Sequence, residues 1–476
     1  MGKIATKKLW LLALVLIVGL TLSGCDNLFG SDDDDDNGSD NGSDNGSQVT
    51  EWEVISTDSS GLGSIQERTA VYNGVEETQR LVVGTHYDDV TFSDDYVWYL
   101  GGPVFIGNNA QDPAEATGNT LTIEAGTTIR GNTAAGDPGV LIITRGSDIV
   151  AEGTADAPIT LTSANPVGER DSGDWGGLII NGYARVQGGY AEGEGDTGEY
   201  GGGTDPVDDD NSGTIRYVRV QFAGTLFSPD NELNGIVLQG VGSGTTIEYV
   251  QVHKNADDGI EWFGGSAQVK YYVGTGNEDD TADGDDGWNG SLQFAILQQY
   301  DTDAGSLIEA DGDATDVFDP SNAIFANITA IGSSATSTGL RFKSNANYDV
   351  YNSVIDVQQN NDTPAYVDAG DATLDYFGTL VVGGTPSDDS DNEDLETPNN
   401  GNELRESASG IEDAVAALTD GVWSTDFDVT PTDGTFEAQA LPDADPAGNT
   451  LEATSYIGAY DGTNAWWEGW IDTPAN

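Results

Sequence analysis

Carboxylates crowd two short stretches near the middle of the chain. "NADDGIEWFGG", residues 255–265, carries Asp257, Asp258 and Glu261, and "GNEDDTADGDDGWNG", residues 276–290, carries Glu278, Asp279, Asp280, Asp283, Asp285 and Asp286. A hard cation such as Ca²⁺ gathers six to eight oxygens from carboxylates, carbonyls and water, so the two stretches brought side by side would suit it. Asp257, Asp258, Asp279, Asp280, Asp283 and Asp285 are the candidate ligands, with Ca²⁺ the only cofactor suggested. Neither stretch matches the D-x-[DN]-x-[DN]-G-x₅-E loop, and no glycine-rich nonapeptide array is present, so convergence must come from the fold. The plain alternative is that Asn, Asp and Gly here simply make solvated turns. Glu261 and Trp288 are the candidates for touching a ligand directly, Trp288 because it follows a turn.

Other chemistries find fewer residues. The chain has two histidines, His86 and His253, and one cysteine, Cys25, which leaves no partner set for a nucleophilic triad and no convincing zinc site. His253 alternates with Val252 and is expected on the surface. A carboxylate pair such as Asp257 or Asp258 with Asp280 could flank a glycosidic bond, but any acid-rich chain supplies such pairs. "GLRFK", residues 339–343, alternates so that Leu340 and Phe342 point inward and Arg341 and Lys343 outward. These two cations are weak catalytic candidates beside the carboxylates.

A repeat must position all of these. "IRYVRV" (215–220) recurs as "IEYVQV" (247–252), and the register continues through "VKYYVG", "LQFAIL", "AIFANI", "DVYNSV" and "LDYFGT". The third position reads Tyr217, Tyr249, Tyr271, Phe294, Phe325, Tyr351 and Tyr376. A second strand, "GIVLQG" (235–240), matches "GIEWFG" (259–264) and "GLRFKS" (339–344). Short β-branched and aromatic strands separated by Gly, Asn and Asp turns, with no helix between them, bury both faces of a parallel sheet only by coiling it. The expected architecture is all-β: a single-stranded right-handed parallel β-helix with an aromatic ladder rising about 4.8 Å per coil. The second position reads Arg216, Glu248, Lys270 and Gln293, which puts opposite charges on neighbouring coils.

The flanks read differently. Lys3, Lys7 and Lys8, the apolar run 9–20 and "LSGC" ending at Cys25 resemble a bacterial lipoprotein signal. The resemblance implies cleavage before Cys25 and lipid attachment to it, with membrane anchoring stable once two or more acyl chains are added. Asp26 resembles the retention signal of some inner-membrane lipoproteins, so the outer surface and the inner membrane both stay open. Residues 30–47 repeat Gly, Ser and Asp with no apolar side chain and should form an extended tether. The net charge of −66 excludes nucleic acid as a partner. It fits either the salt-adapted surface of a halophile or extensive calcium binding.

The organisation expected is a signal (1–24), lipidated tether (25–49), N-terminal cap (50–95), parallel β-helix (96–384), an acidic loop with one short helix at 409–421 and an irregular segment (385–450), and a C-terminal cap (451–476) whose tryptophans seal the solenoid's end. A second acidic insertion occupies 188–213.

"IVAEGTADAPITLTS" (149–163), "GTIRYVRVQFAG" (213–224) and the closing "YIGAYDGTNAWWEGW" (456–470) resemble the coils and tail of secreted and lipid-anchored bacterial β-helix proteins. The resemblance implies a fold, not a chemistry. Three functions follow as expectations: display of a binding or adhesive surface towards a polysaccharide or another surface protein, a calcium-assisted polysaccharide lyase, and a structural spacer. The lyase reading is itself implied by resemblance, since β-helix lyases pair carboxylate-held Ca²⁺ with an Arg or Lys. The G-H-G and R-I-K motifs of the β-helix pectin hydrolases are absent.

Overall fold

The computed structural model describes residues 50–474 apart from 135–136, 229–230, 301–303, 313–320, 345, 358–365, 370–372, 384–401, 406–437 and 464. Cys25, the tether, the expected helix at 409–421 and most of the acidic loop that begins at 385 lie outside the described residues. Among those described, 27 strands join one continuous sheet, and its pairings are parallel except in the N-terminal hairpins. Each strand pairs with the one a single coil later, as in Ile215↔Ile247 and Ile247↔Val269. The sheet therefore winds on itself as a parallel β-helix.

One coil has three faces. Thr246–His253 lies across two of them, and Ile260–Phe263 forms the third. The next coil repeats this with Gln268–Thr275 and Ala282–Asp285, and the next with Ser291–Gln298 and Ser306–Asp311. The long strands bend at one residue in the left-handed region: Tyr217 (φ 50°), Tyr249 (55°), Tyr271 (59°) and Phe294 (62°). Bulky residues there carry strain of about 1–3 kcal/mol each. Stacking offsets it, since successive rings lie 4.5, 4.4 and 5.0 Å apart and nearly parallel.

The aromatic ladder is thus real for four coils, but it stands at an outer corner rather than in the core, and its continuation differs from expectation. Phe325 pairs with Leu292, two positions before the corner, and the corner itself passes to Asn327, Asn352 and Gly378 (φ 53°, 46° and 61°). Asn and Gly adopt the left-handed conformation more readily than an aromatic residue, so where stacking stops the column changes residue type. Phe325 and Tyr376 are buried core residues instead, and Tyr351 stacks on Phe377 at 4.4 Å.

Inward side chains from all three faces form one apolar core that includes Trp98, Ile215, Ile260, Trp262, Leu292 and Phe342. On the outside, Arg216 and Glu248 meet at 2.6 Å across neighbouring coils, while Lys270 pairs with Glu452 of the C-terminal segment at 3.0 Å. At the N-terminal end Glu53–Thr57, Gly63–Tyr72 and Val75–His86 form an antiparallel meander, and its last strand pairs in parallel with Val97–Ile106 to join the first coil.

The C-terminal tryptophans do not seal an end. Residues from 438 onward pack along the solenoid's flank, where Trp470 meets Tyr217 and Tyr249 edge-on at 5.8 and 6.3 Å and Trp466 meets Tyr271 at 5.3 Å. The corner rings form an apolar ledge outside the core, and this strap removes it from water. His253, expected at the surface, is buried beneath the same strap, with Nδ1 2.7 Å from Thr275 Oγ1 and Nε2 2.9 Å from the Pro474 carbonyl. Alternation places it correctly on the outer side of its strand, but the strap covers that side. Burial pushes its pKa down to about 4.

Candidate functional site

The acidic stretches converge on the third face. "ADGD" is not a turn: Ala282–Asp285 is a strand, pairing Asp283 with Glu261 on one side and with Glu309 on the other. Asp and Gly are poor strand formers, and packing explains the glycine. A Cβ on Gly284 would lie 2.7 Å from the Trp288 ring and 2.9 Å from the Tyr348 hydroxyl, so glycine makes room for the core indole. Trp288 is accordingly no ligand platform. It is fully buried, stacks on Trp262 at 4.3 Å and donates its indole N–H to the Ala267 carbonyl at 3.0 Å. The turn preceding it folds the ring inward.

One outward column of this face reads Val237, Glu261, Asp283, Glu309 and Arg341 on successive coils, and the next holds Phe263, Asp285, Asp311 and Lys343. The expected orientation of Arg341 and Lys343 holds, since Leu340 and Phe342 between them are buried. The coil repeat brings these carboxylates about 4.8 Å apart. Three triplets result, each offering oxygens within 4.8 Å of one another: Asp257, Asp258 and Asp279; Asp258, Glu261 and Asp283; Asp280, Asp283 and Glu309. Asp258 and Asp283 each belong to two. Asp285, among the ligands expected from sequence, enters none of the three, because it stands one outward position further along the strand.

Asp258 and Asp280 also brace the turns. Asn234 Oδ1 accepts from the Asp258 N–H (3.0 Å), Asp258 Oδ1 from the Asp280 N–H (2.8 Å), and Asp280 Oδ1 from the Ser306 N–H. Each of the two aspartates thus commits one oxygen to the next coil. Glu261 accepts from the Asn234 side-chain amide. Asp283 has no such commitment, and its Oδ1 is shut off from water without a donor.

Burial dominates the electrostatics. It raises the carboxyls of Asp258, Glu261, Asp280 and Asp283 well above the ordinary range, and the neighbouring carboxylates raise them further. Burial, then Asp279, pushes Asp257 up to about 7, and burial with Asp286 takes Asp285 to about 7. The nearby cations serve one end of the cluster: Arg341 meets Glu309 at 2.8 Å, and Lys343 contacts Glu309 and lies 3.4 Å from Asp311. Among the described residues no ion pair reaches Asp257, Asp258, Glu261, Asp279, Asp280 or Asp283. Arg341 and Lys343 hold Asp279 down in part, and Lys343 does the same for Asp283, but carboxylates held this closely without an ion pair can either keep protons or take up a cation.

Several participants are not evident from the sequence. Glu309 and Asp311 sit in "SLIEAD", a strand whose outward positions can be found by stepping one coil on from Asp283. Glu194 and Glu232, from the 188–213 insertion and a following hairpin, raise Asp257 further; no repeat register predicts them. Tyr200 fastens the insertion to this face, its hydroxyl 3.0 Å from Asp286 Oδ2 and its ring 6.2 Å from Phe263.

A parallel sheet wound into three faces, with polar side chains stacked in outward columns, defines a parallel β-helix. The family model of the pectate-lyase-like beta helix domain matches residues 84–396, and the chain belongs to that family. No curated protein and no solved structure matches it.

Proposed function

We propose that the protein is a cell-envelope β-helix, held on a lipidated Cys25 and an acidic tether, whose third face binds Ca²⁺ and through it an acidic polysaccharide. The observation that carries this reading is the row of three overlapping carboxylate triplets along Asp257, Asp258, Glu261 and Asp283, which no ion pair among the described residues reaches. Divalent cations bound there would reverse the local charge and let a polyanion approach a chain whose net charge is otherwise −66. The tether and signal resemblance support display on an envelope, and the outer surface is the location that display favours.

A second reading is a calcium-assisted polysaccharide lyase. Arg341 and Lys343, one coil from Glu309, favour it, because either could serve as the base beside a cation site once it leaves its Glu309 ion pair and gives up its proton. The full chain, kept in high salt with Ca²⁺, is passed over a panel of acidic polysaccharides while the ultraviolet absorbance of unsaturated products is followed. Calcium-dependent retention with flat absorbance supports binding. Rising absorbance that chelator or Arg341→Ala abolishes makes it a lyase. Neither retention nor absorbance overturns both.

A further inference from the structure

The acidic face repeats one unit. A turn residue stands three positions before each outward position of the third face, and on successive coils the pairs read Asn234 with Val237, Asp258 with Glu261, Asp280 with Asp283, Ser306 with Glu309 and Thr338 with Arg341. The turn residues are laced in order: Asn234, Asp258 and Asp280 each accept, through Oδ1, from the N–H one coil further on. The other oxygens of Asp258 and Asp280 stay outside that ladder.

A complete unit needs an acid at the turn, an acid at the outward position and another at the outward position of the next coil. Two sets on these five coils meet this, Asp258, Glu261 and Asp283, then Asp280, Asp283 and Glu309, each with oxygens within 4.8 Å of one another. The second set is the first moved along by one coil. Asp283 is the far acid of one and the near acid of the other, and its Oδ1 is buried with no donor among the described residues. The position that both sets share is thus the one the protein leaves unsatisfied, and buried carboxylates demand a counter-charge.

The row ends differently on its two sides. One coil before it, Asn234 and Val237 are neutral. One coil after it, Ser306 and Glu309 would open a third unit, but Arg341 stands at the next outward position, 2.8 Å from Glu309, and Lys343 contacts the same carboxylate. Side-chain cations fill the third place, in register with two places that hold none.

We propose that the two units hold two divalent cations one coil repeat apart, about 4.8 Å along the solenoid, with Asp283 bridging them and with Arg341 and Lys343 standing in for a third. The inference rests on the calcium reading of this face and deepens it: a polyanion would meet a row of two bound ions closed by two side-chain cations.

Equilibrium dialysis of the full chain against ⁴⁵Ca²⁺ in molar salt, which screens the rest of the acidic surface, counts the ions held. Relative to the unaltered chain, Glu261→Gln and Glu309→Gln should each lose one ion and Asp283→Asn two. The count is a difference, so an ion on Asp257, Asp258 and Asp279 does not enter it. Arg341→Ala replaces an exposed side chain and needs no change in the buried acids; it should tighten one ion severalfold more than the other. Loss of the same single ion in all three acid variants, or equal tightening of every ion in Arg341→Ala, overturns the proposal while leaving calcium binding in place. No ion held by the unaltered chain at millimolar calcium overturns it together with the calcium reading.

Discussion

Removing one charge from the acidic face should tighten the coil that carries it. Asp257→Asn is the cleanest substitution, because burial and Asp279 hold that carboxyl at about 7 against 3.8 for an ordinary aspartate. A folded-state pKa above the unfolded one means that the folded chain keeps a proton the unfolded chain has lost, so stability falls as pH rises from about 4 through 7 and levels off above. Three units correspond to about 4 kcal/mol. The side chain is only partly buried and shares its repulsion with coupled neighbours, so the expected gain at pH 8 without calcium is about 1–3 kcal/mol. Solenoids open locally rather than all at once, which makes global unfolding a poor gauge. Amide exchange of Ile260–Phe263 and Ala282–Asp285, corrected for its intrinsic pH dependence, reads the local opening directly. Exchange in the variant should slow by about 5- to 150-fold at pH 8 and be unchanged at pH 4. Equal protection at pH 8, or the same gain at both pH values, would refute the argument that buried repulsion governs this face.

Trp288→Ala should cost about 3–5 kcal/mol in thermal or denaturant stability, from the cavity beside Trp262, while leaving polysaccharide retention intact wherever the fold survives. Gly284→Ala should cost about 1–3 kcal/mol by driving a methyl into the Trp288 ring, seen as a lower melting temperature and a changed near-ultraviolet signal. Arg341→Ala leaves buried Glu309 with Lys343 as its remaining ion-pair partner; calcium titration should show tighter binding, because a competing cation is gone, whereas the lyase reading requires lost turnover.

Strand spacing and alternation make the coil, the Arg216–Glu248–Lys270–Gln293 column and the outward placement of Arg341 and Lys343 legible in the sequence. Legibility ends wherever tertiary packing overrides local preference. "ADGD" reads as a turn because Asp and Gly shun strands, and only the Trp288 ring above Gly284 explains the choice. Phe325 reads as the fifth ladder ring because composition alone does not distinguish a left-handed corner from an inward strand position; the φ of 53° at Asn327 does. His253 and the C-terminal tryptophans depart from their expected places because a strap distant in sequence covers the flank. For the site, the crowding of carboxylates is evident in the residues themselves, but their sharing of ligands across coils needs the register.

Calorimetric titration of Ca²⁺ into the full chain at pH 6 and pH 8, beside Asp283→Asn and Asp285→Asn, asks whether the third face holds calcium. Asp283 belongs to two triplets and Asp285 to none of the three. Calcium held by the shared carboxylates should release more protons on binding at pH 6 than at pH 8, lose at least tenfold in affinity in Asp283→Asn, and change little in Asp285→Asn. No calcium heat at millimolar concentration, or equal affinity in both variants, would contradict it.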